Sequence, residues 1–167
     1  MKTLLSICLL VLISCAQYAH AQGYVANLDG AQAGGGARTG IGQVYLYLTG
    51  TTLSFSNGTY SGLSGTVSSA HIHGPGAPGV SAGVIFDLVP TFITTGATSG
   101  NIAAGNTALS AGNALDLQNG LLYINIHTST FGGGEIRGQV LLMPEPSTVA
   151  MLIVSVAFVQ LKRRACR

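Results

Sequence analysis

Apolar and polar residues alternate with a period of two in several short runs between residues 22 and 143. That period is typical of β-strands with one buried face, since an amphipathic helix repeats about every 3.6 residues. Clusters of Gly, Asn, Pro and Ser separate the runs and predict turns, including a tight hairpin at Gly50. The predicted strands are 24–28, 42–49, 51–56, 66–73, 83–88, 121–127 and 135–142.

Seven or eight short strands in about 120 residues predict an all-β domain, an antiparallel β-sandwich or barrel. The segment 94–113 departs from this pattern because it contains little large apolar material. We expect it to form a long loop with one short turn of helix. One domain therefore accounts for residues 22–143.

The first 21 residues have the pattern of a signal peptide. Lys2 precedes a ten-residue apolar run at 4–13, and Ala19 and Ala21 form an A-x-A cleavage site before Gln22. The alternative is a lipobox ending at Cys15, which would make that cysteine a lipidated N-terminus. Both interpretations predict export.

The last 24 residues, 144–167, have a different pattern, in which Pro144, Glu145 and Pro146 precede an uncharged stretch at 147–161. As a helix this stretch would span about 22 Å, somewhat less than the roughly 30 Å hydrocarbon core of a bilayer. The positive-inside rule leaves the preceding domain outside the cytoplasm. The basic end that follows the stretch consists of Lys162, Arg163, Arg164 and Arg167.

This tail resembles the PEP-CTERM sorting signal of Gram-negative bacteria, although an ordinary short C-terminal anchor is the alternative. The resemblance implies transient residence in the inner membrane as a transmembrane helix at about 147–161. It also implies removal by an exosortase-type enzyme after signal peptidase and the export machinery have acted. The expected destination is the cell surface or extracellular matrix, with a link to exopolysaccharide or biofilm.

Without its two ends, the chain changes in charge and loses its thiols. The net charge of the whole chain is +2, but residues 22–143 carry four acidic and two basic residues, a net of −2. A basic nucleic-acid-binding surface is thereby excluded. All three cysteines lie in the ends, which excludes a disulfide framework and a catalytic thiol in the domain.

Polar side chains share one face in three of the predicted strands. Alternation places His71 and His73 on the same face of 66–73, opposite the apolar residues. It also places Tyr123, Asn125 and His127 together on 121–127. In the last strand it turns three side chains outward and away from the core. These three are Glu135, Arg137 and Gln139.

The same segments resemble the CHRD domain, in the blocks 70–76, 122–128 and 133–139, and the resemblance extends over 23–142. It implies an immunoglobulin-like β-barrel and no established enzymatic activity. The loop 32–36 departs from the family, whose members often have a Glu-Val-Pro-Pro-like segment there. The residues that carry the family motif are Gly74, Pro75, Asn125, Thr128, Glu135, Arg137 and Gly138.

Two interpretations of the histidines remain open. If the strands are neighbours, His71, His73 and His127 could bind zinc or copper with one position open. Alternatively, they are hydrogen-bond partners that fix strand ends and the 74–76 turn, and no cofactor is bound. The H-x-H strand is similar to one in Cu/Zn superoxide dismutase, but that site needs more histidines than this domain has.

No set of residues predicts catalysis. No G-x-S-x-G elbow is present, the few carboxylates show no informative pairing, and we expect Glu135 and Arg137 to form a salt bridge that supports the sheet. The leading hypothesis is an exported, non-catalytic surface or matrix protein whose partners are polysaccharide or other surface proteins. The alternative is a metal-binding β-sandwich protein that uses the three histidines.

Overall fold

The computed structural model describes residues 21–144. The predicted signal peptide with Ala19, the sorting-motif residues Glu145 and Pro146, and the basic end at 162–164 therefore lie outside the described residues. Among residues 21–144, no helix has the length and apolar character needed to cross a membrane.

The described residues form ten strands and one short helix. In chain order they are β1 (Gln22–Asp29), β2 (Ile41–Thr49), β3 (Thr52–Phe55), β4 (Gly58–Ser61), β5 (Val67–His73), β6 (Val84–Asp87), β7 (Gly100–Ile102), β8 (Gly105–Ala108), α1 (Ala111–Gln118), β9 (Tyr123–Thr128) and β10 (Ile136–Leu142). Each of the seven predicted runs overlaps one of these strands, so the all-β prediction is confirmed.

All strand pairs in this part of the chain are antiparallel, and the sheet order is β6-β5-β9-β10-β1-β2-β3-β8. β3 pairs with the second half of β2, and β4 pairs with its first half. β7 in turn pairs with β4. β3 and β4 thus act as two halves of one interrupted strand along β2. The sheet curls into a half-barrel with one inner, apolar face.

The inner face takes every second residue of the long strands. Ala26 of β1 lies between Val44 of β2 and Val140 of β10, and all three side chains are fully buried. On the other side of the sheet centre, Ile72 pairs with Ile124. Burying one such branched side chain contributes about 1.5–3 kcal/mol to folding, so the alternation predicted from sequence stabilises the curled sheet.

The prediction that the segment 94–113 is a loop is wrong in part. The segment contains β7 and β8, whose pairing with β4 and β3 supplies the order that their own short, polar sequences do not predict. Helix α1 then begins within the segment, after Ser110. The hydroxyl of Ser110 accepts a hydrogen bond of 3.1 Å from the backbone N–H of Asn113, which caps the helix.

The outer face of β5, β9 and β10 is polar and is nevertheless buried or half-buried over most of its length. Three covering loops, 30–40, 74–83 and 129–135, fold across it, and the second and third accept hydrogen bonds from its side chains. Gln139 donates to the Gly76 carbonyl at 2.9 Å, and Arg137 donates to the Val80 carbonyl at 2.9 Å. The alternation predicted only that Glu135, Arg137 and Gln139 point away from the core, and all three side chains are buried.

Candidate metal centre

The pairing of β5 with β9 brings three histidines together. His73 lies opposite Tyr123 in the register, His71 opposite Asn125, and Ser69 opposite His127, so all three imidazoles share the outer face. One nitrogen of each ring lies within 4.8 Å of one nitrogen of each other ring. The adjacency that the sequence interpretation required is confirmed. We call these three residues the histidine cluster.

His73 presents an unprotonated nitrogen to the cluster. Its Nδ1 lies 3.0 Å from the Ala82 carbonyl oxygen, which can only accept, so Nδ1 carries the proton and donates. The lone pair is therefore on Nε2. That atom is buried and has no hydrogen-bond partner among the described residues. Burying an unsatisfied polar atom is costly, and a metal ion would satisfy this one.

His127 is held in the same tautomer. Its Nδ1 donates to the Gly132 carbonyl at 2.8 Å, which places the lone pair of this ring on Nε2. Nδ1 of His71 lies 3.1 Å from that Nε2 and donates to it. Imidazoles whose second nitrogen donates to a backbone carbonyl are typical of metal sites, because the carbonyl fixes the tautomer and the ring orientation. Two of the three rings have this arrangement.

Burial keeps two of these imidazoles neutral. It is the largest cause lowering the pKa of His73; the Ala82 carbonyl opposes it, and the charges of His71, His127 and Arg137 lower the pKa further. Burial likewise lowers the pKa of His127 against the opposing effect of the Gly132 carbonyl. Neutral imidazole is the form that binds metal, so neither ring has to lose a proton at neutral pH.

Tyr123 positions His73 from two directions. The two rings stack with centroids 5.0 Å apart and planes 5° from parallel. The Tyr123 hydroxyl also accepts a hydrogen bond of 2.9 Å from the Ala82 backbone N–H, next to the carbonyl that holds His73. On the other side, from β10, the Arg137 guanidinium carbon lies 3.4 Å from the Tyr123 ring centroid. The tyrosine thus separates the cation from the imidazole.

The nitrogen spacing suits a metal ion after a small closure. Three imidazole nitrogens at about 2.0–2.1 Å from a tetrahedral ion lie about 3.4 Å apart. His71 Nδ1 and His127 Nε2 are already near this value, at 3.1 Å, and a metal ion held by both requires His71 to carry its ring proton on Nε2 instead. His71 is only half-buried, so its ring can move toward the other two. Three imidazoles and an open position suit zinc or copper.

Glu135 and Arg137 do not form the expected salt bridge, since neither has an ionic partner within 4.0 Å among the described residues. The Glu135 carboxylate instead accepts from the Ser64 backbone N–H at 2.5 Å and from the Thr128 hydroxyl at 2.6 Å. Burial raises the pKa of Glu135, but these hydrogen bonds outweigh it and the net effect is a lowered pKa. Glu135 therefore ties the loop before β5 to the end of β9.

The remaining motif residues lie around the same sheet. Gly74 and Gly138 stand where a Cβ atom would collide, with the Leu122 side chain and with the Asn27 backbone respectively. Asn125 donates to the Gly133 carbonyl at 3.3 Å. Pro75 is exposed in the loop after β5. The sequence interpretation placed Tyr123 on the polar face but gave it no role; its position directly opposite His73 appears only once β5 and β9 are paired.

Known proteins resemble this chain in two ways, one at the level of family and one at the level of fold. The family model described as "CHRD domain" matches residues 24–140. A search of curated proteins finds no relative of significant similarity. Among solved structures, the Cu(II) form of superoxide dismutase 5 from Candida albicans is similar, with a TM-score of 0.52 and 13% identity, covering 75% of this chain and 95% of that chain. A mutant of the same enzyme gives a TM-score of 0.51 at 13% identity, with 75% and 94% covered. At this identity the likeness concerns the fold alone.

Proposed function

This chain belongs to the CHRD domain family, and we propose that it is an exported, non-catalytic protein that binds zinc or copper through His71, His73 and His127. The observation that carries the proposal is the buried Nε2 of His73, which has no partner among the described residues while its neighbouring Nδ1 is held by a carbonyl. A purely structural histidine would be expected to use both nitrogens or to expose one to water.

The composition of the histidine cluster supports binding rather than chemistry. Among the described residues, the group of side chains close enough to hold an ion consists of histidines only, with no carboxylate. Such a site provides neutral ligands but no acid–base group apart from the ligands themselves. The fungal superoxide dismutase of similar fold is a Cu(II) form, which makes copper the first ion to test here.

The test is metal stoichiometry of the full chain purified in a mild detergent and stripped of metal. We expect one equivalent of Cu²⁺ or Zn²⁺ to bind, and His73→Ala to reduce the affinity by at least about 100-fold, since a ligand is lost. Thr95→Ala, an exposed change in the loop before β7, is the matched control. Substoichiometric binding by the native chain, or equal binding by His73→Ala, would reject the proposal.

We further propose that the protein reaches the cell surface or extracellular matrix of a Gram-negative bacterium through its two ends, and acts there with polysaccharide or other surface proteins. The support is the sequence pattern of 1–21 and 144–167. A chain that lacks 144–167 should be found in a different cell fraction from the native chain. Unchanged localisation after this deletion would contradict the sorting role.

A further inference from the structure

A second site lies on the same outer face, on the far side of Tyr123 from His73. It is a cavity of about 290 Å³, which we call the Arg137 pocket. Its floor is formed by the buried side chains of Tyr123, Asn125 and Arg137. Its rim comes from the three covering loops and is largely exposed, so the pocket opens to solvent. The rim residues are Ala31, Gln32, Ala33, Gly34, Gly79, Ser81 and Gly133.

The floor contains a buried cation without a counter-ion. Arg137 is only 6% exposed, and no carboxylate lies within 4.0 Å of its guanidinium among residues 21–144. Nη2 donates to the carbonyls of Val80 and Ala77, but Nε and Nη1 have no acceptor among these residues. No Arg137 nitrogen is both enclosed and without a partner, so Nε and Nη1 remain accessible from the pocket and can pair with an entering anion.

Asp29 shows that the protein keeps its own carboxylate away from this cation. Asp29 lies opposite Arg137 in the register of β1 and β10. Its two carboxylate oxygens accept instead from the backbone N–H and the side-chain Nε2 of Gln32, at 2.8 and 2.9 Å. Gln32, in the loop that departs from the family pattern, thus holds the carboxylate of Asp29 and leaves Arg137 available.

Asn125 provides the complementary group. It is 7% exposed and lies directly opposite Arg137 across β9 and β10. Its Nδ2 donates to the Gly133 carbonyl at 3.3 Å, which fixes the orientation of the amide. Its Oδ1 is buried and accepts no hydrogen bond among the described residues. This oxygen requires a donor, and neither a carboxylate nor an inorganic anion without protons supplies one.

We propose that the Arg137 pocket binds a small hydroxy acid, whose carboxylate pairs with the Arg137 guanidinium and whose hydroxyl donates to Asn125 Oδ1. A cavity of this volume is at the lower end of ligand pockets, which fits a single acidic sugar unit rather than a larger molecule. The glycines of the rim, Gly34, Gly79 and Gly133, leave room for such a unit to enter. The site is separate from the histidine cluster and needs no metal.

The experiment is calorimetric titration of the metal-free full chain in detergent with D-glucuronate as the probe. D-glucose, which lacks the carboxylate, and acetate, which lacks the hydroxyls, are the matched half-ligands. We expect saturable binding of glucuronate and at least tenfold weaker binding of each half-ligand. A disaccharide ending in glucuronate distinguishes the sources: tighter binding of the disaccharide indicates a polymer end, and tighter binding of the monomer indicates a free acid.

Two variants test the residues without removing the contacts that Arg137 makes to the fold. Asn125→Asp keeps the shape but gives Arg137 a carboxylate directly opposite it in place of the ligand's, and Ser81→Asp adds a negative charge at the exposed rim. Each should weaken glucuronate binding at least tenfold, whereas Thr95→Asp, the same charge outside the pocket, should not. The proposal is overturned if glucuronate does not bind, if glucose binds equally well, or if Ser81→Asp leaves the affinity unchanged.

Discussion

At the scale of single residues, the polar outer face is held by specific hydrogen bonds rather than by ion pairs. Alternation in the sequence was enough to predict that His71, His73 and His127 share a face. It could not predict that Arg137 and Glu135 are buried apart from each other, because a period of two says which way a side chain points and nothing about the loop that covers it.

Glu135→Ala should destabilise the fold by about 2–4 kcal/mol, since it removes charge-assisted hydrogen bonds to the Ser64 N–H and the Thr128 hydroxyl. Glu135→Gln keeps an acceptor oxygen for Ser64 and should cost about half as much. Chemical denaturation of the metal-free full chain measures both. Equal stability of the native chain and the alanine variant would show that these bonds contribute nothing.

Glu135 also sets a limit to acid stability. Because its pKa in the folded protein is lowered from 4.5, the unfolded chain takes up the proton first as the pH falls. The stabilisation is present above pH 4.5 and is lost as the pH falls through the folded pKa. Thermal unfolding as a function of pH should show this loss in the native chain and not in Glu135→Gln.

His73 and His127 also make the folded state less stable as the pH falls, but in a higher pH range than Glu135. The pKa values of His73 and His127 in the fold are lowered from 6.5, so the unfolded state binds protons first below that value. The metal-free chain should therefore lose stability as the pH falls from about 7 to about 5. His73→Gln, which cannot titrate, should have a flatter profile in this window. A native profile that is already flat there contradicts the assignment of neutral, buried rings.

Tyr123 is the residue whose role the sequence did not reveal. Tyr123→Leu removes both the stack on His73 and the hydroxyl contact to Ala82, whereas Tyr123→Phe removes only the hydroxyl. Loss of groups that orient a metal ligand typically costs 10–100-fold in metal affinity. We expect a loss of metal affinity of about 100-fold for Tyr123→Leu and about 10-fold for Tyr123→Phe. Competition with a chelator measures the affinity. Affinity unchanged in Tyr123→Leu would contradict a positioning role.

At the scale of elements, the sequence predicts the long strands and fails for the short ones. β1, β2, β5, β9 and β10 each bury one alternating apolar face, and that pattern is visible locally. β7 and β8 are short and contain Gly, Asn and Thr. Their strand conformation comes from pairing with β4 and β3, whose partner residues lie 40 to 56 positions away in the chain, so no local pattern could reveal it.

Helix α1 provides a test at this scale. It has a single side-chain cap, the Ser110 hydroxyl that accepts from the Asn113 N–H. Ser110→Ala should reduce the free energy of unfolding by about 0.5–2 kcal/mol, and Ser110→Asp, which also caps, should preserve it. Denaturant unfolding of the three chains decides this. Equal stability of the alanine variant would mean that α1 depends on Ala114 and Leu117 packing alone.

At the scale of the whole molecule, one curled sheet carries two separate polar sites on the face that the loops cover. The strand order β5-β9-β10 places the histidine cluster on one side of Tyr123 and the Arg137 pocket on the other. The sequence indicated which residues belong to this face. The partition into two sites required the register of the three strands and the contacts of the covering loops.

The most direct test of the central claim is X-ray absorption spectroscopy of the full chain loaded with one equivalent of Cu²⁺ or Zn²⁺, whichever binds more tightly. We expect three imidazole nitrogens at about 2.0–2.1 Å from the metal, and two in His73→Ala. A first shell of oxygen only, or an unchanged spectrum in His73→Ala, would show that the histidine cluster is not a metal site.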